Sequence, residues 1–396
     1  MIVRSFSVGM HQSSTLGMRA VVAIPAKDEA ERLPACLRAL AEQVDRCGRP
    51  VGPRVFGVVV FANNCSDNST EVARRAAKGA PFASRVVEAR LAANQSHAGG
   101  ARRVAMDLAE AWLQELSADN GVILTTDADS RVAPDWISAN LTAFDQGAEA
   151  VLGRISLDEE SELLPSMLHA RGKLESVYEE LLTELSARLD PQESNPWPHH
   201  ATISGATLAV TREIYLRVGG LPRVALGEDK ALVAALQRLD ARVRFAPDVA
   251  VVTSARTKGR ALGGVADTLA LRSAEPTALC DEALEPYAVA YRRALWRGRL
   301  RRAGFAAAGS WCAALRVTHR AAQSSMSSLP FGDAWGQIEL ASPVLARRRL
   351  TPAQLPRQIE RAQWLLRRLQ EKLVAHEDVV SVLGSAVGAN YFEAIS

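Results

Sequence analysis

The sequence predicts an α/β protein, a doubly wound and mostly parallel sheet flanked by helices, with a C-terminal helical extension. Three observations carry this. Apolar runs rich in β-branched residues recur without alternation at 20–24, 55–62 and 121–125, as in parallel strands buried on both faces. Polar loops and stretches of helical periodicity lie between them, the β-α-β order that builds a parallel sheet. The polar groups crowd the carboxyl ends of the runs, where open α/β sheets bind their ligands. With 396 residues, 48% of them apolar, the chain has enough for one large core and an appendage.

Taken in order, the first 17 residues carry one cation, Arg4, and no continuous apolar stretch. They read as a disordered arm and not as a secretory leader. Ala20 to Ile24 forms the first strand and Pro25 stops it. Leu33, Leu37 and Leu40 then mark a helix over about 29–46. Val55 to Ala62 is the second strand, and it breaks into Asn63-Asn-Cys-Ser-Asp-Asn-Ser-Thr70, a run of turn formers and N-caps that feeds a helix near 70–78. Val86 and Val87 give a short third strand. Gly99 and Gly100 open a helix to about Leu116, where the backbone can approach a nucleotide with Arg102 or Arg103 beside it for phosphate. His97 reads as a surface histidine.

The next apolar run, Gly121-Val-Ile-Leu-Thr-Thr-Asp-Ala-Asp-Ser130, ends in two carboxylates one residue apart, Asp127 and Asp129. At a strand end they make a seat for Mg²⁺ or Mn²⁺, ions that prefer oxygen ligands and share their shell with phosphates. The competing reading is a solvated turn. A calcium-binding EF-hand loop is excluded, because Arg131 and Val132 stand where an oxygen ligand and a glycine are needed.

Leu163, Met167, Leu174, Val177, Leu181 and Leu185 make Glu159 to about Leu189 an amphipathic helix. Pro196-Trp-Pro-His-His200 is a rigid proline loop that offers Trp197 for stacking and His199 or His200 for a phosphate or metal. Gly227 permits a tight turn before a helix over 230–239, and 242–246 and 250–258 read as two late strands.

Five of these segments together resemble the motifs of family 2 glycosyltransferases with the GT-A fold. Ile24-Pro-Ala-Lys-Asp-Glu-Ala30 is similar to their "IPAxNE" opening, Asn63 to Ser69 to their "DDGSxD" loop, and Asp127-Ala128-Asp129 to their D-x-D. Gly205-Ala-Thr-Leu-Ala-Val-Thr-Arg212, running to Gly219-Gly220, resembles "GxxxAxRR…GGF", and Gly227-Glu-Asp-Lys230 resembles the late "ED" motif. The resemblance spans 19 to about 262. It implies a nucleotide-diphospho-sugar donor and a divalent ion, Mg²⁺ or Mn²⁺, held by Asp129 with Asp127. It further implies a base, Asp229, with Glu228 as its neighbour or substitute. Pro25, Lys27, Glu29, Asn63, Asp67, Gly100, Arg102, Asp127, Ala128 and Gly205 would line the donor, and Arg256, with Arg260, would clamp the diphosphate. Two departures matter. Asn63 and Asn64 stand where many members have Asp toward the base, which leaves uridine and guanosine open, since Asn both accepts and donates. No His follows to serve as third metal ligand.

The implied organisation is an arm over 1–17, a GT-A domain over 18–264, and a helical extension over 265–396. The GT-A domain divides into a nucleotide-binding half, 18–130, and an acceptor and catalytic half, 131–264. In the last 134 residues cations outnumber anions 17 to 12. Their densest run, Arg292 to Arg302, reads as a solvated helix face or as a surface for an anionic acceptor or membrane. Sparse aromatic interleaving argues against nucleic acid as a partner. Five scattered cysteines without a C-x-x-C pair fit a reducing, cytoplasmic compartment, and no apolar run spans a bilayer. Two other classes compete: a nucleotidyltransferase, whose first loop is normally glycine-rich, and a non-catalytic nucleotide-sugar-binding protein.

Overall fold

The computed structural model describes residues 2–9, 17–158, 165–255, 265–305, 308–318 and 329–371. A nine-stranded sheet runs through the molecule. In chain order it is built from β1 (Ile2–Gly9), β2 (Ala20–Ala26), β3 (Phe56–Asn63), β4 (Ala83–Arg90), β5 (Val122–Thr125), β6 (Arg131–Val132), β7 (Ala150–Leu157), β8 (Leu208–Thr211) and β9 (Val243–Thr253). The spatial order is β1-β4-β3-β2-β5-β8-β7-β9-β6. Strands β4, β3, β2 and β5 are mutually parallel; β8 runs antiparallel between β5 and β7, and β7 pairs parallel with β9. The sheet is therefore mixed and mostly parallel, as a GT-A fold requires.

The period of two sorts β2 between two cores. Ala20, Val22, Ile24 and Ala26 face one side, with α1 (Leu33–Ala41), α2 (Ser69–Lys78) and α4 (Trp136–Asp145). Val21 and Ala23 face the other, with α3 (Ala98–Glu115), α6 (Arg212–Arg217) and α7 (Glu228–Arg238). Leu33, Leu37 and Leu40 are all buried, each contributing about 1.5–3 kcal/mol.

After 157 the chain leaves the sheet for α5 (Ser166–Leu189) and returns through β8. The remainder is helical: α8 (Val265–Ala274), α9 (Tyr287–Ala303), α10 (Ala308–Leu315), the Phe331–Ala341 helix, and a helix over 355–371. It forms two small cores of its own, one around Trp311 and Trp335, the other joining Leu350, Leu355 and Ile359 to Tyr178 of α5.

Three expectations are corrected. Residues 2–9, expected to lie in a disordered arm, pair antiparallel with β4 as an edge strand; the backbone of the β4 edge offers pairing that side-chain composition does not reveal. The two late strands are one, β9, which crosses Pro247 because the ladder to β7 shifts register between Leu152 and Arg154. The arginine run is not a solvated face. Arg293 pairs with Glu285 and Glu339, Arg297 and Arg301 both pair with Asp190 at the end of α5, and Arg302 bonds the Leu189 carbonyl. Arg293 thus ties the extension to itself, while Arg297, Arg301 and Arg302 fasten it to the end of α5.

Candidate active site

The carboxyl ends of β2, β3 and β5 and the N-termini of α3 and α7 converge on one side of the sheet. The β2 and β3 loops hold each other. Asp28, at φ +55°, accepts bonds from Ser66 N (2.6 Å), Ser66 Oγ (3.0 Å) and Asp67 N (3.2 Å). In return, Asp67 accepts from Ala30 N at 3.2 Å, and Ser69 Oγ accepts from Glu29 N at 2.7 Å. Burial raises the Asp67 pKa, but the Ser69 hydroxyl and the Ser69 and Ala30 amides outweigh it and leave the carboxyl below its ordinary value. Glu29 is buried behind this lock. Asp28, Cys65 and Asp67 bring ligand atoms within 4.8 Å of one another, yet both carboxylates are already spent on loop amides.

The two asparagines separate cleanly. Asn64, at φ +52°, copies a strand partner: it bonds Leu91 N (2.8 Å) and Leu91 O (3.2 Å) with its side chain. Asn63 is 1% exposed and donates a long bond to Ser96 O (3.4 Å), and among the described residues its Oδ1 has no partner. A buried acceptor left unmade costs about 1–3 kcal/mol. It fits a donor brought by a ligand.

Arg102 is the centre of the arrangement. Its guanidinium donates to Asp127 Oδ1 (2.6 Å), Glu228 Oε1 (3.1 Å), Thr125 Oγ1 (3.0 Å) and Gly205 O (2.7 Å). One side chain thereby ties α3 to β5, the D-x-D turn, the Gly205 segment and the start of α7. Burial disfavours its charge, but Asp127 and Glu228 more than compensate and hold its pKa above the ordinary arginine value. The sequence offered Arg102 as a phosphate contact; in the fold four of its five N–H donors are committed to protein acceptors. Arg103 likewise bonds the carbonyls of Gly219 and Leu221.

This packing explains two glycine positions. A Cβ on Gly205 would stand 2.3 Å from Arg102 Cζ, and one on Gly100 would stand 2.0 Å from Gln95 O, both far inside contact distance. His97, read as a surface residue, caps α3 by accepting from Gly100 N at 3.2 Å. Gly100 is thus committed to the helix start.

Asp127 and Asp129 flank buried Ala128 and are themselves half-exposed at the mouth of the sheet. Behind them lies Cys36, whose Sγ is 3.5 Å from Asp127 O. Burial first, then the charges of Asp129, Asp127 and Glu29, push its thiol far up, so the sulfur stays protonated beside a cluster of carboxylates. Pro25 and Lys27 stand at the end of β2, Lys27 half-buried.

Asp229 follows Glu228 at the start of α7, after Gly227 at φ +70°. It accepts from Gly205 N (3.1 Å) and Lys230 N (2.7 Å). Burial outweighs these bonds and the Arg102 charge, and with the neighbouring Glu228 charge it leaves the Asp229 pKa raised. Glu228 is itself buried against Arg102 and packs on Gly99.

The proline loop is anchored elsewhere on the sheet. His200 is buried, accepts from Thr202 N (3.1 Å) and lies 3.3 Å from Ala246 O. Burial lowers its pKa to about 4, so it is a neutral structural residue with both nitrogens occupied. Trp197 stands edge-on to His199, which packs against Phe245. Arg256 and Arg260 lie outside the described residues. Sequence does not single out Thr126, yet its Oγ1 is buried beside Asp127 with no partner among the described residues; only placement of neighbouring strands reveals this.

The chain belongs to the glycosyltransferases of family 2: the family model described as "Glycosyltransferase like family 2" matches residues 19–270. It is accordingly a glycosyltransferase. Among curated proteins no sequence matches. Solved structures similar at low identity include the following three. TarS residues 1–349 from S. aureus shares 14% identity at a TM-score of 0.43, covering 82% of this chain and 81% of that one. The mannosyltransferase PcManGT from Pyrobaculum calidifontis, in complex with GDP-Man and Mn²⁺, shares 20% at a TM-score of 0.43, covering 82% and 85%. Glucosyl-3-phosphoglycerate synthase from Mycobacterium tuberculosis, with Mg²⁺ and UDP, shares 17% at 0.33, covering 66% and 81%.

Proposed function

We propose that the enzyme moves a sugar from a UDP- or GDP-sugar to an acceptor hydroxyl, with inversion, using a divalent ion and Asp229 as base. The observation that carries this is the convergence of an orphaned buried acceptor (Asn63 Oδ1), a D-x-D pair and a carboxyl of raised pKa at one sheet end of a family 2 glycosyltransferase. Asn63 receives a donor from the nucleobase. Glu29, Asp67 and the loops they brace shape the ribose end, and Gly205 and Lys27 border the diphosphate.

Asp129 with Asp127 would hold Mg²⁺ or Mn²⁺. The fit is chemical: both are carboxylates, both are half-exposed, and Asp127 keeps one oxygen away from Arg102. The bound ion supplies Lewis-acid stabilisation of the departing diphosphate. Asp229 takes the proton of the acceptor hydroxyl. Its raised pKa makes it a stronger base than an ordinary aspartate, while the amides of Gly205 and Lys230 fix the carboxylate in place. Glu228 does not face the acceptor in this reading; it positions α7 through Arg102.

Among the described residues no helix is long and apolar enough to cross a membrane. We assign the enzyme to the cytoplasm, with a peripheral membrane contact as the alternative setting. A nucleotidyltransferase is disfavoured by the glycine-free first loop. The test is Asp229→Asn with UDP- and GDP-sugars: transfer is lost while nucleotide binding persists. Retained transfer would remove Asp229 from the role of base, and an axial-to-axial product anomer would remove inversion.

A further inference from the structure

The positive charge of the chain is concentrated in one short segment of the extension. Residues 347–371 hold seven arginines against two glutamates, whereas the rest of the chain holds 40 cations against 42 anions. The whole cationic excess therefore sits here, beyond the residues matched by the family model. Two of the seven are spent internally: Arg349 bonds the carbonyls of Leu279 and Cys280, and Arg347 faces Glu339 at 3.6 Å. The other five, Arg348, Arg357, Arg361, Arg367 and Arg368, are exposed. Of these, Arg348, Arg357 and Arg367 make no hydrogen bond or ion pair with any described residue.

The helix over 355–371 sorts these charges by its period. Leu355, Ile359, Ala362 and Leu366 recur at four, three and four residues and are buried, the first three in the small core that includes Tyr178 of α5. At about 100° per residue, Trp364 lies on the side of the helix opposite that stripe. Arg361 and Arg368 stand three residues before it and four after it, and Arg357 seven before it, all on the same outward face. Trp364 is 53% exposed, with the Arg368 guanidinium 5.6 Å from its ring; Arg361 reaches over the ring of Tyr287 at 6.0 Å. The two anions of the segment are Glu360, exposed, and Glu371, 3.7 Å from Arg368 with both side chains in solvent.

An exposed tryptophan in a row of arginines selects among partners. A second copy of the chain meeting this face about a two-fold axis would set arginine against arginine. Nucleic acid is read by several stacking aromatics, and this face carries one. A stable protein interface buries about 800 Å² on each partner around an apolar, closely packed centre, and a single convex helix face with one indole does not furnish that centre. A bilayer surface requires no matched shape. Its anionic headgroups attract arginines, an indole settles at headgroup depth, and arginine stems lie along the interface with their charges in water. The apolar stripe of the helix is already buried in the protein, so the helix lies on the membrane surface and does not insert.

Independently of the donor-site reading, we propose that the Arg357–Arg361–Trp364–Arg368 face of the extension docks the enzyme on an anionic phospholipid membrane, with Arg348 and Arg367 adding to the attraction.

The test is flotation of the full chain with vesicles of phosphatidylcholine alone and of phosphatidylcholine with about 30% phosphatidylglycerol, an anionic fraction that provides the surface charge. Wild type is expected to float with the anionic vesicles only, and to be released at high ionic strength. Arg361→Gln/Arg368→Gln is expected to weaken binding about 25-fold, at about fivefold per arginine. Trp364→Ser is expected to weaken it at fixed net charge, and Arg38→Gln/Arg54→Gln, which removes two exposed cations outside the segment, to bind as wild type. All these side chains are in solvent, so melting temperatures are expected to match wild type. Failure of wild type to float with anionic vesicles, equal flotation with neutral ones, unchanged binding by either segment variant, or an equal loss in the Arg38→Gln/Arg54→Gln control overturns the proposal. The wild-type arms decide it even where a variant does not fold.

Discussion

Replacing Arg102 by Met separates two accounts of this residue. The side chain is 6% exposed and pairs with Asp127, 33% exposed, and Glu228, 11% exposed. Removing one partner of a buried ion pair costs about 3–5 kcal/mol, because the other charge stays behind without compensation. The carbonyl of Gly205 and the hydroxyl of Thr125 also lose a donor, worth about 1 kcal/mol each, while water reaching Asp127 returns part of the loss. A total of about 3–5 kcal/mol is expected, a large share of the 5–15 kcal/mol typical of a folded protein. Urea denaturation followed by far-UV circular dichroism reads this directly. The double variant Arg102→Met/Glu228→Gln should recover part of the loss, because one stranded charge is gone. A loss under about 1 kcal/mol in the single variant, together with weakened nucleotide binding, would refute the reasoning and return Arg102 to the phosphate role its sequence position first offered.

Further outcomes follow from the same geometry. The folded pKa of Asp229 is raised, so the folded state binds its proton more tightly than the unfolded chain, and its charge costs stability as pH rises through that window. Asp229→Asn should therefore abolish transfer while leaving the melting temperature at neutral pH equal or higher, and the acid limb of the wild-type rate profile should lie above an ordinary aspartate pKa. Gly205→Ala places a methyl 2.3–2.5 Å from the Arg102 guanidinium; a stability loss of about 1–3 kcal/mol and reduced transfer are expected, read by thermal melting and initial rates. Asp190→Asn leaves Arg297 and Arg301 facing each other without their shared anion. Limited proteolysis should then cut within 265–371 first, with the catalytic domain protected.

Much of the sheet was legible because its parallel strands are buried on both faces and so read as unbroken apolar runs. The site segments were legible for a related reason: strand ends at 26, 63 and 125 must turn, and the residues after them are polar. What sequence did not reveal depends on partners distant in the chain. Asn63 and Asn64 look interchangeable, yet one spends its side chain on Leu91 while the other keeps a buried acceptor unpaired. Arg102 looked like a ligand group because nothing local shows that Asp127 and Glu228, 25 and 126 residues away, close on it. The arginine run misled similarly; a cationic helix face and a helix fastened by its cations have the same pattern until Asp190 is located. Residues 2–9 pair with the β4 edge through a backbone ladder, which composition does not encode.

The central claim is a metal-dependent nucleotide site at Asp127, Asp129 and Asn63. Isothermal titration calorimetry of UDP and GDP, each with and without Mn²⁺, tests it on wild type, Asp129→Ala and Asn63→Ala. One nucleotide is expected to bind only with Mn²⁺, Asp129→Ala to abolish the metal dependence, and Asn63→Ala to weaken binding about tenfold, the equivalent of one hydrogen bond of about 1.4 kcal/mol. Binding of neither nucleotide under any metal condition, or equal binding by Asp129→Ala, would contradict it.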